Sequence, residues 1–195
     1  QHKGAMLLDV GCKLSAPELA IAASCGATQL TVAKIPRICL ITSGDEVVPP
    51  TRTPDLFQIR ASHPVAIRAS IESQKLGTVE HIHIADSEQQ TRSEIQQALA
   101  TYDILILTGG VSKGKFDFIA PILSELAGEP LFHGVSQRPG KPFGYFSSKI
   151  PIFALPGNPL SVMACLARYV LPALRQHLGA PCEVSKMELA QDAKS

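Results

Sequence analysis

The chain holds 195 residues, with 18 Lys and Arg against 17 Asp and Glu, for a net charge of +1 at pH 7. No basic stripe accompanies that balance, so neither a nucleic acid nor an acidic membrane is expected as a partner. Hydrophobic residues make up 45%, enough for one good core; aromatics make up 5% and Trp is absent, so no platform for stacked bases is evident.

The opening "GAMLLDVGCKLSAPELAIAASCGATQLTVAK" predicts a short strand, a capped helix beginning near Ser15 and Pro17, and a second strand. It does not share the rhythm of the later chain, and residues 1–36 read as the end of a preceding module. From Arg37 the pattern is regular. "RICLITS" predicts a buried strand, "PVAIRASIESQKLG" a helix closed by Gly77, "TVEHIHIA" a second strand and "SEQQTRSEIQQALAT" a polar-faced helix. "DILILT" predicts a third, fully apolar strand, and "DFIAPILSELAG" a helix with Pro121 in its first turn and Gly128 at its end. "PLFHGVSQ" and "PFGYFSS" predict two extended pieces around a turn. "PIFALPGNP" predicts a short strand leading into the helix "LSVMACLARYVLPALRQHLG". The alternation implies an α/β fold, a mostly parallel sheet with helices on both faces, over residues 37–178. Residues 179–195 read as a linker to a further C-terminal domain.

Cys12, Cys25, Cys39, Cys165 and Cys182 are an odd, scattered set without C-x-x-C spacing. They predict reduced thiols in a cytoplasmic protein, with neither a disulfide frame nor a zinc site. No apolar run approaches the roughly 20 residues of a membrane span, and no signal peptide opens the chain.

In an open parallel sheet, ligands sit beyond the carboxyl ends of the strands. The polar motifs cluster there: "TSGDE", "ADSE", "TGGVSKGKFD" and "LPGNPLS" each come directly after a predicted strand. Asp45, Glu46, Asp86 and Asp117 are thereby expected along one rim. The glycines allow close backbone approach, and "QRPGKPF" adds Arg138 and Lys141 around Gly140. Carboxylates suit a divalent metal, while amides and cations suit an oxyanion; together they point to a phosphorylated, metal-bridged substrate. Each piece also has an ordinary reading. Asp117 and Asn158 serve equally as helix caps, "GDE" as a turn, and Arg138 and Lys141 as solvated cations. His81 and His83 share a strand face, without further metal ligands in the pattern.

"GGVSKGK" satisfies G-x-x-x-x-G-K between a strand and a helix, which opens a P-loop NTPase alternative. Phe116, however, stands where a Ser or Thr holds Mg²⁺, and Asp103 begins its strand where a metal-binding acid would end one.

Four motifs in order resemble the molybdopterin molybdenumtransferase family, comprising the MoeA proteins and the gephyrin E domain. "TSGDEVV" resembles its T-G-D-E-L segment, "GGVSKGKFDF" its G-G-V-S-x-G-[DE]-x-D-[YF], "QRPGKPFGYF" its K-P-G-K-P and "LPGNPLSV" its L-P-G-N-P-[VA]-S. The resemblance implies a molybdopterin-binding, MoaB/Mog-like domain. Its implied reaction inserts molybdate into adenylylated molybdopterin and releases AMP, with Mg²⁺. Carried over, Glu46, Asp86 and Asp117 match catalytic and metal-holding acids. Gly109, Gly110 and Ser112 face the pterin phosphate, Arg138 and Lys141 hold oxyanions, and Gly157 and Asn158 complete the rim. Ser43, Gly44, Asp45, Thr108, Gly140 and Pro156 are further substrate-binding positions within the same motifs. The family's cleft forms in a homodimer of longer chains, so this chain alone is expected to be inactive.

The sequence also departs from the pattern. Lys115 replaces an Asp or Glu, and "QIRASHP" replaces Q-I-x-[DN]-[ST]-N, so Ala61 and His63 stand where polar side chains are common. Those departures leave a non-catalytic pterin-binding relative or a scaffold domain as alternatives. The related adenylyltransferase is set aside, since Val111 and Ser112 break its T-G-G-T-G pattern.

Overall fold

The apolar runs read from the sequence form the middle of one twisted sheet. The computed structural model describes residues 4–109 and 119–180. In chain order it holds α1 (Ala16–Ser24), β1 (Arg37–Ser43), β2 (Val47–Val48), β3 (Ile59–Arg60), α2 (His63–Glu72), β4 (Thr78–Ile84), α3 (Glu88–Thr101), β5 (Ile104–Thr108) and α4 (Ile119–Ala127). After these come β6 (Phe132–His133), β7 (Gly144–Ser147), β8 (Pro151–Leu155) and α5 (Pro159–Cys165). A π-helical segment (Leu166–Val170) and α6 (Leu171–His177) then continue directly from α5.

Six strands pair in the order β4-β1-β5-β8-β7-β6. The four strands β4, β1, β5 and β8 run parallel, while β7 and β6 return antiparallel. The expected fold class is therefore correct. The two extended pieces after α4 are the antiparallel arms of a hairpin, so its tip lies beside the carboxyl end of β8, where Gly144 pairs with Ala154.

The parallel strands are apolar on both faces because both faces are covered. Ile38, Leu40 and Ile106 pack with Ile67 and Ile71 of α2 and with Val162, Leu166 and Leu174 of the last helix. Cys39, Ile41 and Leu107 pack on the other face with Ile95 of α3 and with Ile119, Ile122 and Leu123 of α4. Each fully buried aliphatic of this kind contributes about 1.5–3 kcal/mol.

Two local expectations are corrected and one element is new. Before Arg37, α1 is the one helix or strand among the described residues; the two strands predicted there do not form. A strand needs a neighbour for its amides, and Leu30, Val32 and Ile35 are exposed without one. The helix itself begins as predicted, with the Glu18 carboxylate accepting the Ser15 amide at 2.9 Å. The left-handed residue after α2 is Lys75 (φ 57°), not Gly77, whose missing side chain instead makes room for Ile38. The pair β2–β3, which the sequence did not announce, joins "DEVV" to "QIR" in parallel, with Ile59 pairing with Val47. Among the described residues no helix is long and apolar enough to cross a membrane.

Candidate functional site

Because β1, β4, β5 and β8 are parallel, their carboxyl ends share one edge, and the described polar residues that follow these strands lie along it as a rim. The rim's floor is backbone. Gly109, directly after β5, has φ +84°, and a Cβ there would lie 3.0 Å from the Ser43 carbonyl oxygen at the end of β1. A side chain is thus excluded twice, by conformation and by space. Gly157 approaches Gly109 from the other side, 3.8 Å from where its own Cβ would stand to the Gly109 Cα. Beneath them the buried Thr108 hydroxyl donates to the Pro156 carbonyl at 3.1 Å, fastening the β5 end to the β8 end. Three motifs distant in sequence therefore meet at Ser43, Gly109 and Gly157.

The acidic side of the rim comes from the loops after β1 and β4. The Asp86 amide donates to the Asp45 carboxylate at 3.2 Å, which draws these two loops together. Asp45 thus acts on the protein's own backbone, a role the motif did not reveal. Glu46 folds its carboxylate back over Gly44, where a Cβ would come within 2.6 Å of it. Asp45, Glu46 and Asp86 are exposed. Asp117, Gly110, Ser112 and Lys115 lie outside the described residues.

The cationic side is the hairpin tip. Arg138 and Lys141 are exposed on a turn with a cis Arg138–Pro139 bond. This turn is braced from below: the Gln137 side-chain amide donates to the Pro139 carbonyl at 2.8 Å, and the Tyr169 hydroxyl donates to Gln137 Oε1 at 2.8 Å. The Cys165 thiol points to the buried Gly140 carbonyl at 3.5 Å. With Gln137 and His133 the two cations line a cleft of about 590 Å³. Asn158 is a helix cap in fact: its Oδ1 accepts the Ser161 amide at 3.2 Å, while Gly157 beside it remains on the rim.

One rim residue was read from the sequence only as a departure from the resembled motif. His63, the first residue of α2, lies against the Gly157 backbone. Burial pushes its ring below the usual histidine range, with the Gly157 backbone partly opposing. Its Nε2 is buried without a hydrogen-bond partner among the described residues. His81 and His83 are accounted for without a metal: Thr42 Oγ1 lies 2.8 Å from His81 Nε2 and 2.9 Å from His83 Nδ1. Asp103 is equally structural, since its carboxylate accepts the Arg37 amide at 2.8 Å and is held below the ordinary carboxylate range by it. That removes the acid a P-loop reading would need. Cys12, Cys25, Cys39 and Cys165 are free thiols.

No group of three or more His, Cys, Asp or Glu side chains converges among the described residues. Mg²⁺ does not require one: it keeps several waters and takes one or two carboxylates together with substrate phosphates. The hard oxygen donors Glu46 and Asp86, exposed in the loops after β1 and β4, fit such an ion.

Comparison with known proteins agrees with this geometry. Residues 39–176 match the family described as a probable molybdopterin binding domain. A molybdopterin molybdenumtransferase from Synechocystis sp. is 40% identical over 172 residues, covering 86% of this chain and 44% of the relative. The molybdopterin biosynthesis MoeA protein of Pyrococcus horikoshii superposes with a TM-score of 0.72 at 25% identity, over 92% of this chain and 42% of that one. The molybdopterin biosynthesis Mog protein of Mycobacterium ulcerans shares the fold, with a TM-score of 0.54 at 18% identity over 72% of this chain and 98% of its own. The chain thus spans less than half the length of the molybdenumtransferase and MoeA relatives, and the Mog domain is matched nearly whole.

Proposed function

Because the chain belongs to the molybdopterin binding domain family matched over residues 39–176, we propose that it supplies the substrate rim of a molybdopterin molybdenumtransferase in molybdenum cofactor biosynthesis. The reaction on this reading takes adenylylated molybdopterin and molybdate and releases AMP. The observation that carries it is the placement, at one edge of the sheet, of carboxylates after β1 and β4, where the Asp86 amide binds Asp45, and of the cations of the hairpin tip, braced by Gln137 and Tyr169.

The residues divide the work by chemistry. Gly109 at the end of β5 leaves the floor without a side chain in the way of the pterin phosphate, and the resemblance assigns Gly110 and Ser112, next in the motif, to the same phosphate. Arg138 and Lys141 hold oxyanion charge as the phosphoanhydride is cleaved, and their rigid turn keeps them from reorganising during the step. Glu46 and Asp86, with Asp117, are the residues that would hold Mg²⁺. When bound, the ion supplies charge neutralisation on the phosphate oxygens. On this reading Asp45 and Asn158 position the site, since one accepts the Asp86 amide and the other caps α5.

Lys115 favours a second reading, a pterin-binding relative without turnover, because it places a cation where the resembled motif has an acid. A cation there weakens metal binding and strengthens phosphate binding. Calorimetric titration of molybdate and of AMP into the chain tests the shared premise. Both ligands are expected to bind, more weakly after Lys141→Ala and Arg138→Ala. Unchanged heats in both variants would remove the cationic turn from the site.

A further inference from the structure

A second cavity, of about 530 Å³, opens between the β7–β8 face of the sheet and the last helix, and the rim chemistry does not use it. It reaches toward the opposite end of the sheet from the rim, since Ile104 and Pro151, the first residues of β5 and β8, help line it. Five aromatic rings form its wall as one connected belt. Tyr169 stacks on Phe143 with centroids 4.7 Å apart and planes 15° apart, and Phe143 meets Phe132 at 5.8 Å. Phe132 stacks on Tyr145 at 6.0 Å, and Tyr145 meets Phe153 at 5.2 Å. The belt therefore holds half of the chain's aromatic residues, which number seven Phe and three Tyr.

The cavity's charge is one-sided. Arg168 and His177 line it, and among the described residues no carboxylate does. The Arg168 guanidinium lies 5.9 Å over the Tyr169 ring, so the cation is carried above the aromatic wall. Arg168 and Tyr169 belong to the π-helical segment Leu166–Val170, a local widening that a helix tolerates at some cost and that recurs at functional sites. Aromatic walls, a few polar groups and a volume of several hundred Å³ are the usual attributes of a small-molecule site.

We propose that this cavity binds a small, flat aromatic molecule bearing one anionic group, with its ring against the wall formed by Phe132, Tyr145 and Tyr169 and the anion on Arg168. The cavity is separate from the rim but shares one residue with it: the Tyr169 ring lines the cavity while its hydroxyl braces Gln137 of the hairpin tip. A polar pterin ring would leave its hydrogen-bonding edge unpaired against such walls, which separates the two sites chemically.

Fluorescence titration with two probes tests it: anilinonaphthalene sulfonate, which is aromatic and anionic, and neutral phenylnaphthylamine. The sulfonate is expected to bind saturably at one site per chain and more tightly than the amine. Arg168→Gln should weaken the sulfonate about tenfold, the loss of one charged hydrogen bond, and leave the amine unchanged. Phe132→Ala, at a half-exposed position that folding tolerates, should weaken both. Absence of saturable binding, or equal behaviour of the two probes before and after Arg168→Gln, would overturn the assignment. So would a sulfonate-driven shift from dimer to monomer in sedimentation, which would give the cavity to a second copy of the chain.

Discussion

The Asp86 amide donates to the Asp45 carboxylate at 3.2 Å, and this single bond spans 41 residues to align the loops after β1 and β4. Neighbouring strands bring the loops close; the bond fixes how Asp86 faces the rim. Asp45→Ala is therefore predicted to cost at most about 1 kcal/mol of stability, below the range of a buried charged bond because the site is exposed. It should also weaken Mg²⁺ binding measured by calorimetry, with Asp45→Asn recovering most of the loss. Equal Mg²⁺ affinity in Asp45→Ala and the parent chain would show that Asp86 needs no such alignment.

The hairpin tip depends on a residue that never reaches the rim. Tyr169→Phe removes the hydroxyl that holds Gln137, and the expected cost is about 1 kcal/mol in thermal or urea melts. Molybdate affinity should fall several-fold with it, since Gln137 in turn holds the Pro139 carbonyl between Arg138 and Lys141. A stability loss with full molybdate affinity would mean that the turn is rigid without its brace.

Acid should destabilise the fold before the carboxylates titrate. His81 is held below its ordinary value of 6.5 by burial, by His83 and by Arg68, and burial acts on His63 in the same direction. Both rings bind a proton less readily folded than unfolded. Their contribution is thus complete above about pH 6.5 and is lost as pH falls through the lower folded values. The urea midpoint is predicted to drop between about pH 7 and 5. His81→Gln, which keeps a partner for Thr42, should flatten that slope. A midpoint independent of pH in this window contradicts the assignment.

Much of this architecture was legible because buried parallel strands leave unmistakable apolar runs; "ICLI" and "ILIL" read directly as β1 and β5. The rim was legible for the same reason in reverse, as polar residues and glycines concentrate immediately after those runs. What stayed hidden depended on distant partners. The two-residue strands β2 and β3 exist only through each other, and no local pattern marks them. The stretch around Leu30 and Val32 has a strand's composition but no strand to pair with. His63 stood where the resembled motif carries a small polar residue, so nothing in its own neighbourhood pointed to a half-buried ring beside Gly157. The aromatic belt arises between the β6–β7 hairpin and the last helix, and no single segment contains enough of it to be read.

Leu19, Ile21, Leu30 and Val32 are exposed in the segment before Arg37, a run of apolar surface that calls for a cover. The cover proposed is a second copy or the further domains of a longer chain. Sedimentation of this chain is predicted to show a concentration-dependent dimer, and Leu19→Asp with Val32→Asp should reduce it. A compact monomer at all concentrations would count against pairing through this segment.

The central claim is that the rim of Glu46, Asp86, Arg138 and Lys141 turns over a pterin nucleotide, and its most direct test is AMP release from adenylylated molybdopterin in the presence of molybdate. The full-length protein is predicted to release AMP only with Mg²⁺. Glu46→Gln and Asp86→Asn should abolish that release while leaving thermal stability within about 0.5 kcal/mol of the parent, as expected for exposed substitutions. AMP release that persists in both variants, or that never occurs with molybdate and Mg²⁺ supplied, would contradict the account.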